Sequence, residues 1–396
     1  MNLNIAWIAQ GRMRIKAGAE IPRTIDSKYG DGIRERAARS AQRHGWKMQG
    51  AGEKFLAGPS LWGRSVRDPA QISIQITSLC RGKGPGQALY SLEADGMCAV
   101  LSLEEFGKDE LRVWNKNDKR LSHLCVSDAG DVACCAMNSA GTAHIAIRLN
   151  QESGFAEVTE GDVLDTAPRW IPGAGRRLVY QSAGIARNRE GFRVGQSHFA
   201  IHQLDVDRGE LSTLLDEPQN DLLTPQMTAE GALYFIRRPL QRGPKLNPFR
   251  VLLNIVLFPF RLLYAVFQFL QFFSLRYTGK PLTSGSGEQA READLKQMII
   301  WGNMVSAANA QPATGDDAPD LVPNSWQLVR RDPAGREKVL AKGVLSFDLA
   351  PDGTVIYSNG NAIFRLGTDG QRERIVREAM IQQVVVLHPE MPAAMV

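Results

Sequence analysis

Along most of the chain, hydrophobic and polar residues alternate over short runs, and one phrase punctuates them: a small or acidic residue, a glycine, then a β-patterned stretch. The phrase precedes Met97–Leu103 as Ala94-Asp95-Gly96, Val132–Met137 as Asp128-Ala129-Gly130, and Ala232–Ile236 as Ala229-Glu230-Gly231. It recurs as Pro172-Gly173-Ala174-Gly175 before Leu178–Ser182 and as Pro351-Asp352-Gly353 before Thr354–Ser358. Each copy predicts a hairpin turn between two strands. A further strand pair tends to follow, as in Ala143–Leu149 with Phe155–Val158 and His198–Leu204 with Leu211–Leu214. Four short strands per repeat predict an all-β chain built as a β-propeller. Six blades are expected, the last combining Ile381–Leu387, Leu3–Ala9, Arg12–Lys16 and Ile72–Ser78, so that both termini close the ring.

The stretch Thr166-Ala-Pro-Arg-Trp-Ile-Pro-Gly-Ala-Gly-Arg-Arg-Leu-Val-Tyr-Gln-Ser182 resembles the repeat of TolB-like six-bladed propellers, as does Ala350-Pro-Asp-Gly-Thr-Val-Ile-Tyr357. The resemblance covers about 250 residues and implies a fold, because such propellers serve as scaffolds, gates and binding platforms alike.

Two insertions interrupt the single domain expected over residues 1–396. In the first, 21–68, Ile33–Lys47 reads as a basic helix with Arg36, Arg39, Arg43 and Lys47 on one face. A Gly-rich run with Trp46, Phe55 and Trp62 follows. These seven residues form the expected partner-binding set, since aromatic and Arg side chains dominate binding hot spots. The alternatives are that the aromatics pin the insertion to the propeller and that the basic face is merely solvated. No nucleic-acid module accompanies it, so nucleic acid is not an expected partner. Residues 26–63 also resemble the bacterial propeller proteins encoded beside MoxR-type AAA+ ATPases and von Willebrand A proteins, which implies a non-enzymatic adaptor.

The second insertion, 238–324, departs from the pattern altogether. Between Gly231 and Gly287 there is no Asp or Glu but eight of the 47 basic residues; without them, acidic residues outnumber basic ones by three. Within this window, 249–275 is an apolar run whose few polar residues fall on one narrow helical stripe. Pro259 divides it. Arg261 near the middle and a shared domain on either side argue against a single membrane crossing. The remaining reading is an in-plane anchor. Phe249, Leu252, Leu253, Val256, Leu257, Phe258, Phe260, Leu263, Phe267, Phe269, Leu270 and Phe273 would meet the acyl boundary. Arg242, Lys245, Arg250, Arg261, Arg276 and Lys280 would meet anionic headgroups. The alternatives are a helix that docks into a partner protein and an internal core helix. A flexible polar tail is expected to complete this insertion.

Candidate chemistry changes the picture little. No G-x-S-x-G elbow, H-E-x-x-H pair or phosphate-binding G-x-x-x-x-G-K-[ST] loop occurs. Arg81–Gly86 reads as a hairpin loop, and His198 and His202, on a strand, would stand too far apart to share a metal. No catalytic residue, metal or cofactor is assigned. Cys80, Cys98, Cys125, Cys134 and Cys135 read as reduced, buried side chains. Met1–Gly18 lacks the charge order of a signal peptide, and the expected location is cytoplasmic, at the inner face of the cell membrane. The expected function is a membrane-associated scaffold or adaptor that presents a protein-binding face. The competing class is a lactonase-like propeller hydrolase, which would need three or more carboxylate or His side chains converging in the channel.

Overall fold

A computed structural model describes residues 3–45, 72–94, 96–117, 119–150, 152, 154–240, 297–300, 303–306, 320–367 and 370–388. Met1–Pro239 and Met298–Val396 pack as one unit, and Leu240–Gln297 as another. The first unit is the propeller.

Blade I holds β1 (Ile5–Ala9), β2 (Arg12–Lys16) and β3 (Arg23–Ile25); the helix α1 (Lys28–Gly45) follows. Blade II is β4 (Ile74–Arg81), β5 (Ala88–Ala94), β6 (Met97–Glu104) and β7 (Asp109–Lys116). Blade III is β8 (Arg120–Val126), β9 (Val132–Met137), β10 (Ala143–Arg148) and β11 (Ala156–Glu157). Blade IV is β12 (Val163–Trp170), β13 (Arg177–Arg187), β15 (Ala200–Asp205) and β16 (Glu210–Leu215), with the short β14 (Arg193–Gln196) paired to the end of β13. Blade V is β17 (Asn220–Met227), β18 (Leu233–Pro239), β21 (Gln327–Arg331) and β22 (Glu337–Lys342); the separate hairpin β19 (Gln297–Ile300) and β20 (Asn303–Ser306) lies between its halves in sequence. Blade VI is β23 (Ser346–Leu349), β24 (Val355–Ser358), β25 (Ala362–Leu366) and β26 (Arg372–Arg377). The last strand, β27 (Ile381–Val386), pairs with β1 and closes the ring.

Three copies of the recurring glycine phrase share one geometry. Ser127, Thr228 and Ala350 each accept the N–H of the glycine three residues on, and each donates to the carbonyl four residues on. Gly130, Gly231 and Gly353 stand at φ +92°, +81° and +79°, a left-handed conformation that glycine adopts without penalty. The alternating runs bury their apolar face between blades: Trp7, Tyr90, Tyr180, Phe235, Phe347 and Tyr357 are almost fully enclosed. Each such side chain contributes about 1.5–3 kcal/mol.

Three expected boundaries move. The fourth strand of the closing blade is Arg23–Ile25, not Ile72–Ser78, because β3 occupies the edge of β2 while β4 pairs with β5 and opens the next blade. Residues 23–25 of the first expected insertion therefore belong to the propeller. Blade V runs through Arg238 to Pro239, and the core resumes at Leu321 and Val322, both buried. The helix expected from Ile33 starts at Lys28, for reasons given below.

Candidate functional site

The first strands of the blades ring the channel, and five of the six carry a register shift. In β8, β12 and β17 two residues stand opposite one: His123-Leu124, Ala167-Pro168 and Thr224-Pro225 are the extra pairs. His123, Ala167 and Thr224 take left-handed φ of 52°, 52° and 49°. Shorter shifts fall at Thr77 in β4 and Gln382 in β27. Such bulges bend a strand and re-aim the side chains beside them.

Side chains near these bulges tie each blade to the next. Gln383 of β27 accepts the Leu79 N–H at 3.0 Å and donates to the Leu79 carbonyl at 2.7 Å. Ser78 of β4 accepts the Leu124 N–H at 2.9 Å, and Cys125 of β8 accepts the Trp170 N–H at 3.4 Å. Gln226 of β17 donates to the Phe347 carbonyl at 3.2 Å, and Asp348 of β23 accepts the Val386 N–H at 2.8 Å. Blade IV differs. Its tie to blade V comes from the second strand, where Gln181 accepts the Thr224 N–H. The residue that follows the bulge, Arg169, stands 3.6 Å from the Asp348 carboxylate of blade VI, two blades away. Arg169 also faces His123, Cys80 and Cys125, so it lies among blades II, III and VI inside the ring. Burial, and then the charge of Arg169, push His123 down to about 4, which leaves the imidazole neutral at pH 7.

The second place is α1. Ser27 Oγ caps it by accepting the Gly30 N–H at 3.1 Å. The Glu110 carboxylate of β7 accepts the Lys28 and Tyr29 N–H groups at 3.0 and 2.9 Å, which suits the positive end of a helix. Tyr90 holds Ser27 from below at 3.0 Å. A Cβ on Gly30 would meet Ile74 at 3.0 Å, so the glycine permits the helix to lie this close to blade II. Of the expected partner-binding set, Arg36 is exposed and lies over the Tyr29 ring, while Arg39 is exposed and bridges Glu35 at 3.0 Å. Arg43 is on the helix; Trp46, Lys47, Phe55 and Trp62 lie outside the described residues. The twelve expected acyl contacts and the six headgroup contacts also lie outside them. Among the described residues no helix is long and apolar enough to cross a membrane.

His198 pairs with Asp216, and His202 bonds Thr213 at 3.2 Å, so the two histidines take separate partners. All five cysteines are free and buried, and burial raises the thiols of Cys80, Cys98, Cys134 and Cys135. Among the described residues no group of three His, Cys, Asp or Glu side chains could hold a metal ion. Sequence reasoning missed Arg169 and Glu110. The signal for Arg169 was a charge directly after an Ala-Pro break in an otherwise buried strand.

The blade order and its closure by both termini define a six-bladed β-propeller. More narrowly, the fold is TolB-like. The structure of TolB from Acinetobacter baumannii is similar at a TM-score of 0.51 and 12% identity, over 97% of this chain and 66% of that one. The chain thus spans slightly under two thirds of that protein. The nidogen/laminin complex (TM-score 0.48, 7% identity, 98% and 99% covered) and the tricorn protease (0.47, 12%, 97% and 34%) also match. No protein-family profile and no curated protein matches the chain by sequence. At these identities the likeness concerns the fold alone.

Proposed function

We propose that the protein is a non-enzymatic binding scaffold held at the inner face of the cell membrane. The observation that carries this reading is the mounting of α1: a carboxylate from β7 and a buried serine fix its first turn, and Arg36 and Arg39 face outward. Arg36, Arg39, Arg43, Trp46, Lys47, Phe55 and Trp62 are the partner-binding set, and the resemblance of residues 26–63 favours an AAA+ ATPase or von Willebrand A protein as the partner. The channel supports the same reading, since hydrogen bonds between neighbouring blades engage many of its polar groups. The acid-free apolar run 249–275 supplies the membrane contact, with its flanking Arg and Lys on anionic lipid.

Liposome co-sedimentation tests the proposal, comparing the intact protein with a variant whose residues 246–278 are a Gly/Ser linker. Sedimentation of the intact protein only, and more strongly with anionic than neutral lipid, is the expected result. If both forms stay in solution and the intact protein self-associates instead, the apolar run is a protein-docking element and the membrane contact is withdrawn.

A further inference from the structure

At the position after the bulge, Ser78, Cys125, Gln226 and Gln383 each bond the backbone of the following blade. Arg169 occupies the equivalent place in blade IV without that duty, because Gln181 performs it. Its side chain keeps 19% of its surface exposed, against 4% for Asp348. Among the described residues the guanidinium makes no hydrogen bond to an oxygen: Asp348 stands off at 3.6 Å, and its other close neighbour is the Cys125 thiol. A guanidinium presents five donors in a planar fork, and withdrawing it from water is costly unless oxygen acceptors replace the solvent. Asp348 already spends one oxygen on the Val386 N–H.

We propose that Arg169 is a receptor for a ligand carboxylate bound in the propeller channel. A carboxylate matches one guanidinium fork in shape and charge. A phosphate dianion does not, because the single cation is already partly offset by Asp348 and the neighbouring His123 adds no charge at neutral pH. The carboxylate can belong to a small molecule or to the end of an extended peptide; the chemistry recognised is the same.

Saturation-transfer NMR on the full-length protein tests this with benzoate, its neutral isostere benzamide, and phenyl phosphate. Benzoate is expected to bind about tenfold more tightly than either, the equivalent of about 1.4 kcal/mol, and its signal is expected to vanish in Arg169→Met. Equal signals from benzoate and benzamide, or a benzoate signal unchanged in Arg169→Met, would overturn the assignment. Should Arg169→Met fail to fold, the comparison of the three ligands on the native protein decides, supported by Asp348→Asn, in which benzoate is expected to bind several-fold more tightly. N-acetyl-trialanine with a free or an amidated C-terminus identifies the source. Tighter binding of the free acid than of benzoate points to a peptide terminus, whereas binding of benzoate alone points to a small molecule.

Discussion

Arg238 and Arg169 are both arginines of the propeller interior, yet they are held in opposite ways. Arg238 meets Asp221 through two nitrogens, at 3.0 and 2.6 Å, with both side chains about nine-tenths buried, and lies over the Trp326 ring. The other oxygen of Asp221 accepts the Phe199 N–H at 2.9 Å, so the pair also fastens the connection from blade IV to blade V. Arg169 has one carboxylate at 3.6 Å and part of its surface open. The closeness of pairing separates a cation that builds the ring from one that is available to a ligand.

The largest expected effect comes from breaking the tight pair. Asp221→Asn keeps an acceptor for Phe199 but removes the carboxylate charge that faces the buried Arg238 guanidinium, and should cost about 3–5 kcal/mol in urea unfolding. Next is the mount of α1. Glu110→Ala removes the acceptor of two helix N–H groups, and should cost about 1–2 kcal/mol and speed amide exchange in the first turn of α1 while leaving the blades protected.

A smaller, pH-dependent effect is expected at His144 in β10, whose ring nitrogens stand 2.9 Å from the Glu157 carboxylate and 2.9 Å from the Gly161 carbonyl. Both contacts are hydrogen bonds only when the ring carries two protons. Burial acts to lower its pKa, but the bonds to Gly161 and Glu157 outweigh it and raise it above the ordinary value. A raised folded-state pKa gives stability that is fully present below the unfolded value near 6.5 and is lost as pH rises through the folded one. The stability difference between the native protein and His144→Asn should therefore shrink by about 1 kcal/mol from mildly acidic to alkaline pH; a constant difference would contradict the doubly bonded ring. The smallest effect belongs to Arg36→Ala and Arg39→Ala. Both are exposed, and unfolding should shift by less than about 0.5 kcal/mol, so any larger loss would show that this face packs against the propeller.

The parts of the fold that were legible in the sequence are those set by local chemistry. Each glycine phrase has a left-handed glycine at one position, or at two in Pro172–Gly175, and the alternating runs follow from burial of one face, so blades and turns could be read residue by residue. Arg23–Ile25 escaped because a short edge strand with an exposed pattern carries no periodic signal; only its pairing with Met13–Ile15 makes it a strand. The start of α1 escaped for a related reason. Its capping carboxylate is Glu110, 82 residues from Lys28. Arg169 stood in the phrase that signalled the fold, but its place inside the ring depends on the bulge before it and on Asp348 two blades away. Local pattern reveals strands and turns, whereas the direction in which a channel residue faces is a property of the closed ring.

The most direct test of the contrast is the unfolding free energy of Arg169→Met measured beside that of Asp221→Asn. The expected loss for Arg169→Met is smaller than that for Asp221→Asn, because the pair it breaks is longer, Arg169 is partly open to solvent and Asp348 retains its bond from Val386. A loss as large as that of Asp221→Asn would show that Arg169 is structural and that the looseness of its pairing does not free it for a ligand.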